Sequence, residues 1–256
     1  MICDNIDLLK KATEGVLTIA GNDVRVLDEK CLRETLIDDL IRTAVFAPGE
    51  ETRAAARWLI RRSAAAMGVR SASIQGLYEA MGRGEASGFT VPAINIRALT
   101  YDSAQAVFRA AQASGAGAMI FEIARSEIDY TRQRPAEYTC AVMAAALKTG
   151  YRGPLFLQGD HFQVGAKKFA KAPEAEVRAV KDLIWEAIEA GFYNIDIDTS
   201  TLVDLSEETV KKQQRLNYSL AAEMTTMIRD LEPAGVAISV GGEIGEVGGK
   251  NSTVEE

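Results

Sequence analysis

The pair Asp160 and His161 closes an apolar run, PLFLQGDH, and here the residue types and spacing best suit chemistry. A carboxylate beside an imidazole can hold a divalent cation or exchange a proton with a bound substrate. His161 is the only histidine in the 256 residues. A lone histidine says little by itself, but this one follows a glycine and an aspartate at the end of an expected strand. Other apolar runs end near Asn95, Glu122, Asp196, Asp198 and Glu243. In parallel α/β folds, active sites form beyond the C-terminal ends of the strands. So many carboxylates on one rim would be costly without a cation or a shared proton, so a divalent metal is expected there.

Each candidate also has a plainer explanation. Asp160 could cap the segment that follows it. Asp196 and Asp198 alternate along one strand, YNIDID, and are not expected to face the same way, so at least one of them is expected to serve structure. Glu243 lies in GGEIGEVGG, where it could be a solvated loop residue; the glycines there, including Gly248 and Gly249, also suit close approach of backbone to a phosphate. Lys167 and Lys168 follow the aspartate–histidine pair as a solvated turn or as a loop reaching a phosphate.

Positioning these residues requires a parallel sheet. From Ser73 onward, short apolar runs alternate with amphipathic stretches, the pattern of repeated βα units. Five strands are expected: Val91 to Ile96, Ala118 to Ile123, Pro154 to Gln158 running on to His161, Tyr193 to Asp198, and Gly235 to Val240. Between them lie helical stretches such as Asp102 to Ala113 and Glu174 to Ala190, the latter stopped by Gly191. The strands start roughly 30–40 residues apart, the interval of an eight-fold (β/α)8 TIM barrel. Only five such units fit before Glu256, so the sequence is read as part of a longer barrel, incomplete at its C-terminus, in preference to an open five-stranded sheet. Residues 1–72 are expected to be a helical extension, and 73–256 the barrel. Within the extension, Leu32, Leu36, Ile37, Leu40, Ile41 and Val45 form one stripe at helical period, and alanine-rich 51–67 should pack against a neighbour.

Composition narrows the class. A hydrophobic share of 47%, a net charge of −7 and an isoelectric point near 5.0 describe a globular chain with no basic face for nucleic acid or a membrane surface. Three scattered cysteines support neither a disulfide framework nor a thiolate metal site. No apolar leader or membrane span is apparent, and a reducing cytoplasm is the expected compartment.

From about Ile74 onward the sequence resembles the class II fructose-bisphosphate and tagatose-bisphosphate aldolases. The resemblance rests on GFTVPAINI, FLQGDH, AGFYNIDIDTS and GGEIGEVGG, four motifs in the family's order. It implies a zinc enzyme, with a monovalent cation as a further cofactor, that reversibly cleaves a ketose 1,6-bisphosphate. Fructose 1,6-bisphosphate is the expected substrate, and dihydroxyacetone phosphate and glyceraldehyde 3-phosphate the products. By position, His161 would bind the catalytic zinc and Asp160 would be the acid/base. Asp198 and Glu243 would serve a second metal position, with Asp204 in VDLSEE competing for the place of Asp198. Asn95, Gly248 and Gly249 would contact substrate. Zinc would polarise the ketone and stabilise the enediolate left by C3–C4 cleavage. Homo-oligomerisation, as dimer or tetramer, also follows from the resemblance.

The sequence departs from the family pattern in three places. The family's two other zinc histidines lie on later strands, and no second histidine is present. Lys250 and Asn251 stand where many members are acidic, and Ala124 stands where a serine is expected. The run FEIARS and the GDH element also resemble the accessory subunit of tagatose-bisphosphate aldolase. A non-catalytic partner and another metal-dependent carbon–carbon lyase are therefore the competing readings.

Overall fold

A computed structural model of the chain describes residues 1–245 and 251–256. In chain order the elements are α1 (Ile6–Thr13), β1 (Leu17–Ala20), β2 (Asp23–Val26), α2 (Glu29–Cys31), a π-helical turn (Leu32–Leu36), α3 (Ile37–Phe46), α4 (Glu50–Ala66) and β3 (Val69–Ser71). Next come α5 (Gln75–Gly82), β4 (Ala93–Asn95), α6 (Thr100–Ser114), β5 (Ile120–Ala124), α7 (Arg125–Thr131), α8 (Pro135–Thr149) and β6 (Gly153–Gln163). The chain finishes with α9 (Ala166–Lys171), α10 (Pro173–Glu189), β7 (Asn194–Asp198), a 3-10 turn (Ser200–Leu202), α11 (Val210–Gln213), α12 (Arg215–Leu231) and β8 (Ser239–Gly242). All five expected strands form, with ends shifted by a few residues. The N-terminal segment is not wholly helical. Leu17–Ala20 and Asp23–Val26 pair as an antiparallel hairpin, and Val69–Ser71 is a strand.

The chain divides into two compact units. The first comprises Met1–Ser71, Val91–Phe121 and Thr131–Leu155; the second comprises Ala72–Thr90, Glu122–Tyr130 and Phe156–Glu256. In the first unit α8 is central. Residues 138–147, YTCAVMAAAL, are buried all round, as a helix without a polar face must be. Its alanines let α3, α4 and α6 approach, so the alanine-rich helix α4 does pack on neighbours. Phe108 of α6 lies 4.9 Å from Phe121 and 4.7 Å from Tyr151, ring centre to ring centre. Phe108 and Phe121, both fully buried, each contribute roughly 1.5–3 kcal/mol. Strand β3 pairs in parallel with the start of β6, from Val69 opposite Gly153 to Ser71 opposite Leu155.

In the second unit the hydrogen-bonded strand order is β5–β6–β7–β8, with β6–β7 and β7–β8 parallel. Leu157, Phe162, Ile195 and Ile197 are buried, and α10 and α12 pack together with Val180, Ile184, Met224 and Ile228 inward. Helix α10 starts with Pro173, whose missing N–H costs nothing in a first turn, and ends at Gly191, where φ is +93°. Asn194 fastens the start of β7. Its Oδ1 accepts the Ile74 N–H at 2.9 Å, and its Nδ2 donates to the Leu157 carbonyl at 2.9 Å. The architecture is α/β with a parallel sheet. Among the described residues the strands form no closed ring, so barrel closure is not part of the observed fold.

Candidate active site

Strand β6 presents the Asp160–His161 pair at an irregularity. Its register against β7 runs Gln158 opposite Asn194 and Gly159 opposite Ile195, then resumes with Phe162 opposite Ile197. Two residues, Asp160 and His161, thus fall in a bulge between matched positions. His161 takes φ +41°, a left-handed conformation that costs a non-glycine residue about 1–2 kcal/mol. In a regular strand, neighbouring side chains point to opposite faces; a bulge re-aims one of them. Phe162, fully buried, anchors the strand beyond the bulge, and a Cβ at Gly159 would come within 2.5 Å of its ring. The glycine before the pair therefore makes room for the fold beneath the site.

The bulge brings His161 against two carboxylates. Nδ1 lies 3.1 Å from Asp198 Oδ2, and Nε2 lies 3.7 Å from Asp160 Oδ1. Asp196, also on β7, joins Asp160 and His161 so closely that their potential ligand atoms all lie within 4.8 Å of one another. Asp196 and Asp198 both lie beside His161, which corrects the expectation that the two would face opposite ways. Residues two apart share a face of a strand, so β7 offers both carboxylates to the same side. A Cβ at Gly241 on β8 would collide with Asp196 Oδ1, so a side chain there would push that carboxylate aside.

Electrostatics separate the carboxylates. Burial, then the charges of Asp160 and Asp196, push Glu122 up to about 7. Burial, then Glu243, raise Asp196 to about 6. Burial also disfavours the Asp198 anion, but hydrogen bonds from Ser200, Gln163 and His161 outweigh it and leave the pKa below the ordinary value. Ser200 reaches Oδ1 with its N–H at 3.1 Å and its hydroxyl at 2.7 Å, and Gln163 Nε2 reaches Oδ2 at 2.5 Å. For His161, burial works against protonation. The hydrogen bond to Asp198 and the charges of Asp160, Asp198 and Glu243 overcome it, so the pKa is raised.

The remaining expected residues are more scattered. Glu243 follows β8 and acts electrostatically on both His161 and Asp196. Asp204 is exposed and accepts the Ser206 N–H at 3.0 Å and hydroxyl at 2.6 Å, a local turn contact that gives it no share in the cluster. Asn95 ends β4 in the first unit. Gly248, Gly249 and Lys250 lie outside the described residues. Ala124 ends β5, and its N–H donates to Glu127 at 2.9 Å. Asp196 was named among the strand-end carboxylates but not as a ligand beside His161, and Gln163 as a partner of Asp198 was missed in the sequence. The spacing Asp-x-Asp within an apolar strand was the available signal for Asp196.

Two carboxylates and an imidazole nitrogen form a donor set suited to a divalent ion of the zinc, manganese or cobalt type. The raised Asp196 and Glu122 carboxyls mark a region crowded with negative charge, which a cation would relieve. On donor chemistry the site fits a metal.

The family model for class II fructose-bisphosphate aldolase matches residues 76–256. The chain belongs to this family. Comparison with curated proteins gives no match. Family membership makes this an aldolase-type, metal-dependent lyase fold, and the match spans every residue of the Asp160–His161–Asp196 cluster. No described helix of this aldolase-family chain is long and apolar enough to cross a membrane.

Proposed function

We propose that this chain is a class II aldolase that reversibly cleaves a ketose 1,6-bisphosphate, fructose 1,6-bisphosphate first among them, into dihydroxyacetone phosphate and glyceraldehyde 3-phosphate. The observation that carries the reading is the convergence of Asp160, His161 and Asp196 at a strand-end bulge within the family-matched segment. His161 through Nε2 and Asp196 would hold the metal, with zinc as the ion, and Glu243, whose charge acts on both, would serve a second metal position. Asp198 would orient His161 in place of binding the metal itself, since both of its oxygens already accept hydrogen bonds. A divalent ion there would supply Lewis-acid polarisation of the ketose carbonyl.

Asp160 is assigned the proton transfer. In the cleavage direction its carboxylate takes the proton of the C4 hydroxyl as the C3–C4 bond breaks; C4 becomes the aldehyde carbon, and the bonding pair remains on the three-carbon fragment, to be protonated at C3. In synthesis Asp160 returns the proton to the new hydroxyl. Its place 3.7 Å from His161 Nε2 keeps it beside the metal position without requiring that it leave the substrate. Asn95 and the backbone at Gly248 and Gly249 are assigned to the substrate by the family resemblance. Completion of a (β/α)8 barrel and assembly into a homo-oligomer belong to the same proposal.

The test is fructose 1,6-bisphosphate cleavage by the purified chain, with and without chelator, and in Asp160→Ala. Activity that chelator abolishes, zinc restores and Asp160→Ala lacks would support the assignment. Chelator-insensitive turnover, or full activity in Asp160→Ala, would sink it. Metal binding without turnover would favour the accessory, non-catalytic role.

A further inference from the structure

We propose that Gln163 is a positioning residue that selects the metal-binding tautomer of His161. This inference rests on the reading that His161 binds metal through Nε2.

Asp198 accepts at both oxygens: Ser200 holds Oδ1, while Oδ2 takes the Gln163 amide at 2.5 Å and His161 Nδ1 at 3.1 Å. An ionised carboxylate only accepts, so the hydrogen of a neutral His161 ring must sit on Nδ1, and the Nε2 lone pair is left for the cluster. Ser200 alone fixes one oxygen and leaves the carboxylate free to tilt. Gln163 fixes the second oxygen, the one His161 uses.

The Gln163 side chain can do this because its backbone is clamped. Arg125 donates to the Gln163 carbonyl at 2.6 Å and to Glu176 at 2.6 and 3.2 Å, and Glu176 accepts the Gly165 N–H at 2.8 Å. Both members of this ion pair are largely withdrawn from solvent, with side chains 12% and 5% exposed. The Val164 N–H donates to the Asp198 carbonyl at 2.8 Å, locking the two strands immediately after the bulge. One buried pair thus holds the strand end that presents Gln163, and the histidine it serves stands in a left-handed conformation needing such support.

His161 is the only histidine, so ring-nitrogen NMR of histidine-labelled protein reads it without ambiguity. In metal-free wild type, at a pH where the ring is neutral, the hydrogen should lie on Nδ1. Gln163→Met, which keeps length but cannot donate, should convert the ring to a mixture of tautomers and weaken Zn2+ or Co2+ binding about 10–100-fold. Gln163→Glu, which repels Asp198, should do the same more strongly. The melting temperature of the metal-free protein should move little, because Gln163 is exposed. An Nε2–H ring in wild type, or an unchanged tautomer and metal affinity in both variants, would overturn the inference. An Nδ1–H ring that depends on Gln163 in a protein that binds no metal would leave the positioning role intact and defeat the metal reading instead.

Discussion

Asp38 in the first unit and Glu122 in the second are both partly buried carboxylates, and their surroundings drive them in opposite directions. Burial disfavours the Asp38 anion, but Lys148 Nζ at 2.7 Å and Tyr101 hydroxyl at 2.7 Å more than offset it, and its pKa is lowered. Glu122 receives the Gln158 amide at 3.1 Å, yet burial and then the charges of Asp160 and Asp196 outweigh the opposing pull of His161, and it is pushed up to about 7. The first group of charges is complete as folded. In the second, carboxylates outnumber the one imidazole, and a cation or proton would relieve their repulsion. One chain thus holds a carboxylate that opposite charge stabilises and another that burial and like charge destabilise.

The sharpest way to break this contrast is Asp160→Ala. Cleavage should fall by about 10²–10⁴-fold, the range for loss of a general acid/base, while the metal-free melting temperature holds or rises because one repelling charge is gone. A large drop in that temperature would mean the second cluster also supports the fold. Saturating metal is the next lever. At a hundred times its dissociation constant, Zn2+ should stabilise the wild type by about 2.7 kcal/mol in a thermal-shift assay and should add nothing to His161→Ala. Asp198→Asn should weaken metal binding about 10–100-fold in a competition titration, because the amide can present a donor to His161 Nδ1. Last, Asp38→Asn should cost about 1 kcal/mol in denaturant unfolding and leave metal binding unchanged. A lowered folded-state pKa contributes stability above the unfolded value and loses it as pH falls through the folded one. The gap between wild type and Asp38→Asn should therefore be full at neutral pH and close in strong acid.

Much of this was legible in the sequence, and the omissions have physical causes. PLFLQ and YNIDI announce themselves as buried strands because parallel strands are apolar on both faces. Asp160 and His161 stood out through residue type and place. Their bulge did not, because nothing in the alternation of PLFLQGDHFQ marks where register slips. The N-terminal hairpin was overlooked although LTIA and DVRV flank Gly21 and Asn22, with Gly21 at φ +62°, a two-residue turn signal of the usual kind. Strand β3, three residues long, is too short to carry a pattern. The clamp of Arg125 on Glu176 joins residues 51 apart in sequence, a pairing that only the fold reveals.

Gly241 gives the site a second kind of vulnerability. Its φ is not in the left-handed region, so backbone conformation does not demand glycine; what the missing Cβ leaves is the space that the Asp196 carboxylate occupies. Substitutions are usually feared for what they remove. At this position a single added methyl group would displace a carboxylate from the cluster, so the chain's chemistry is guarded as much by an atom it omits as by the charges it displays.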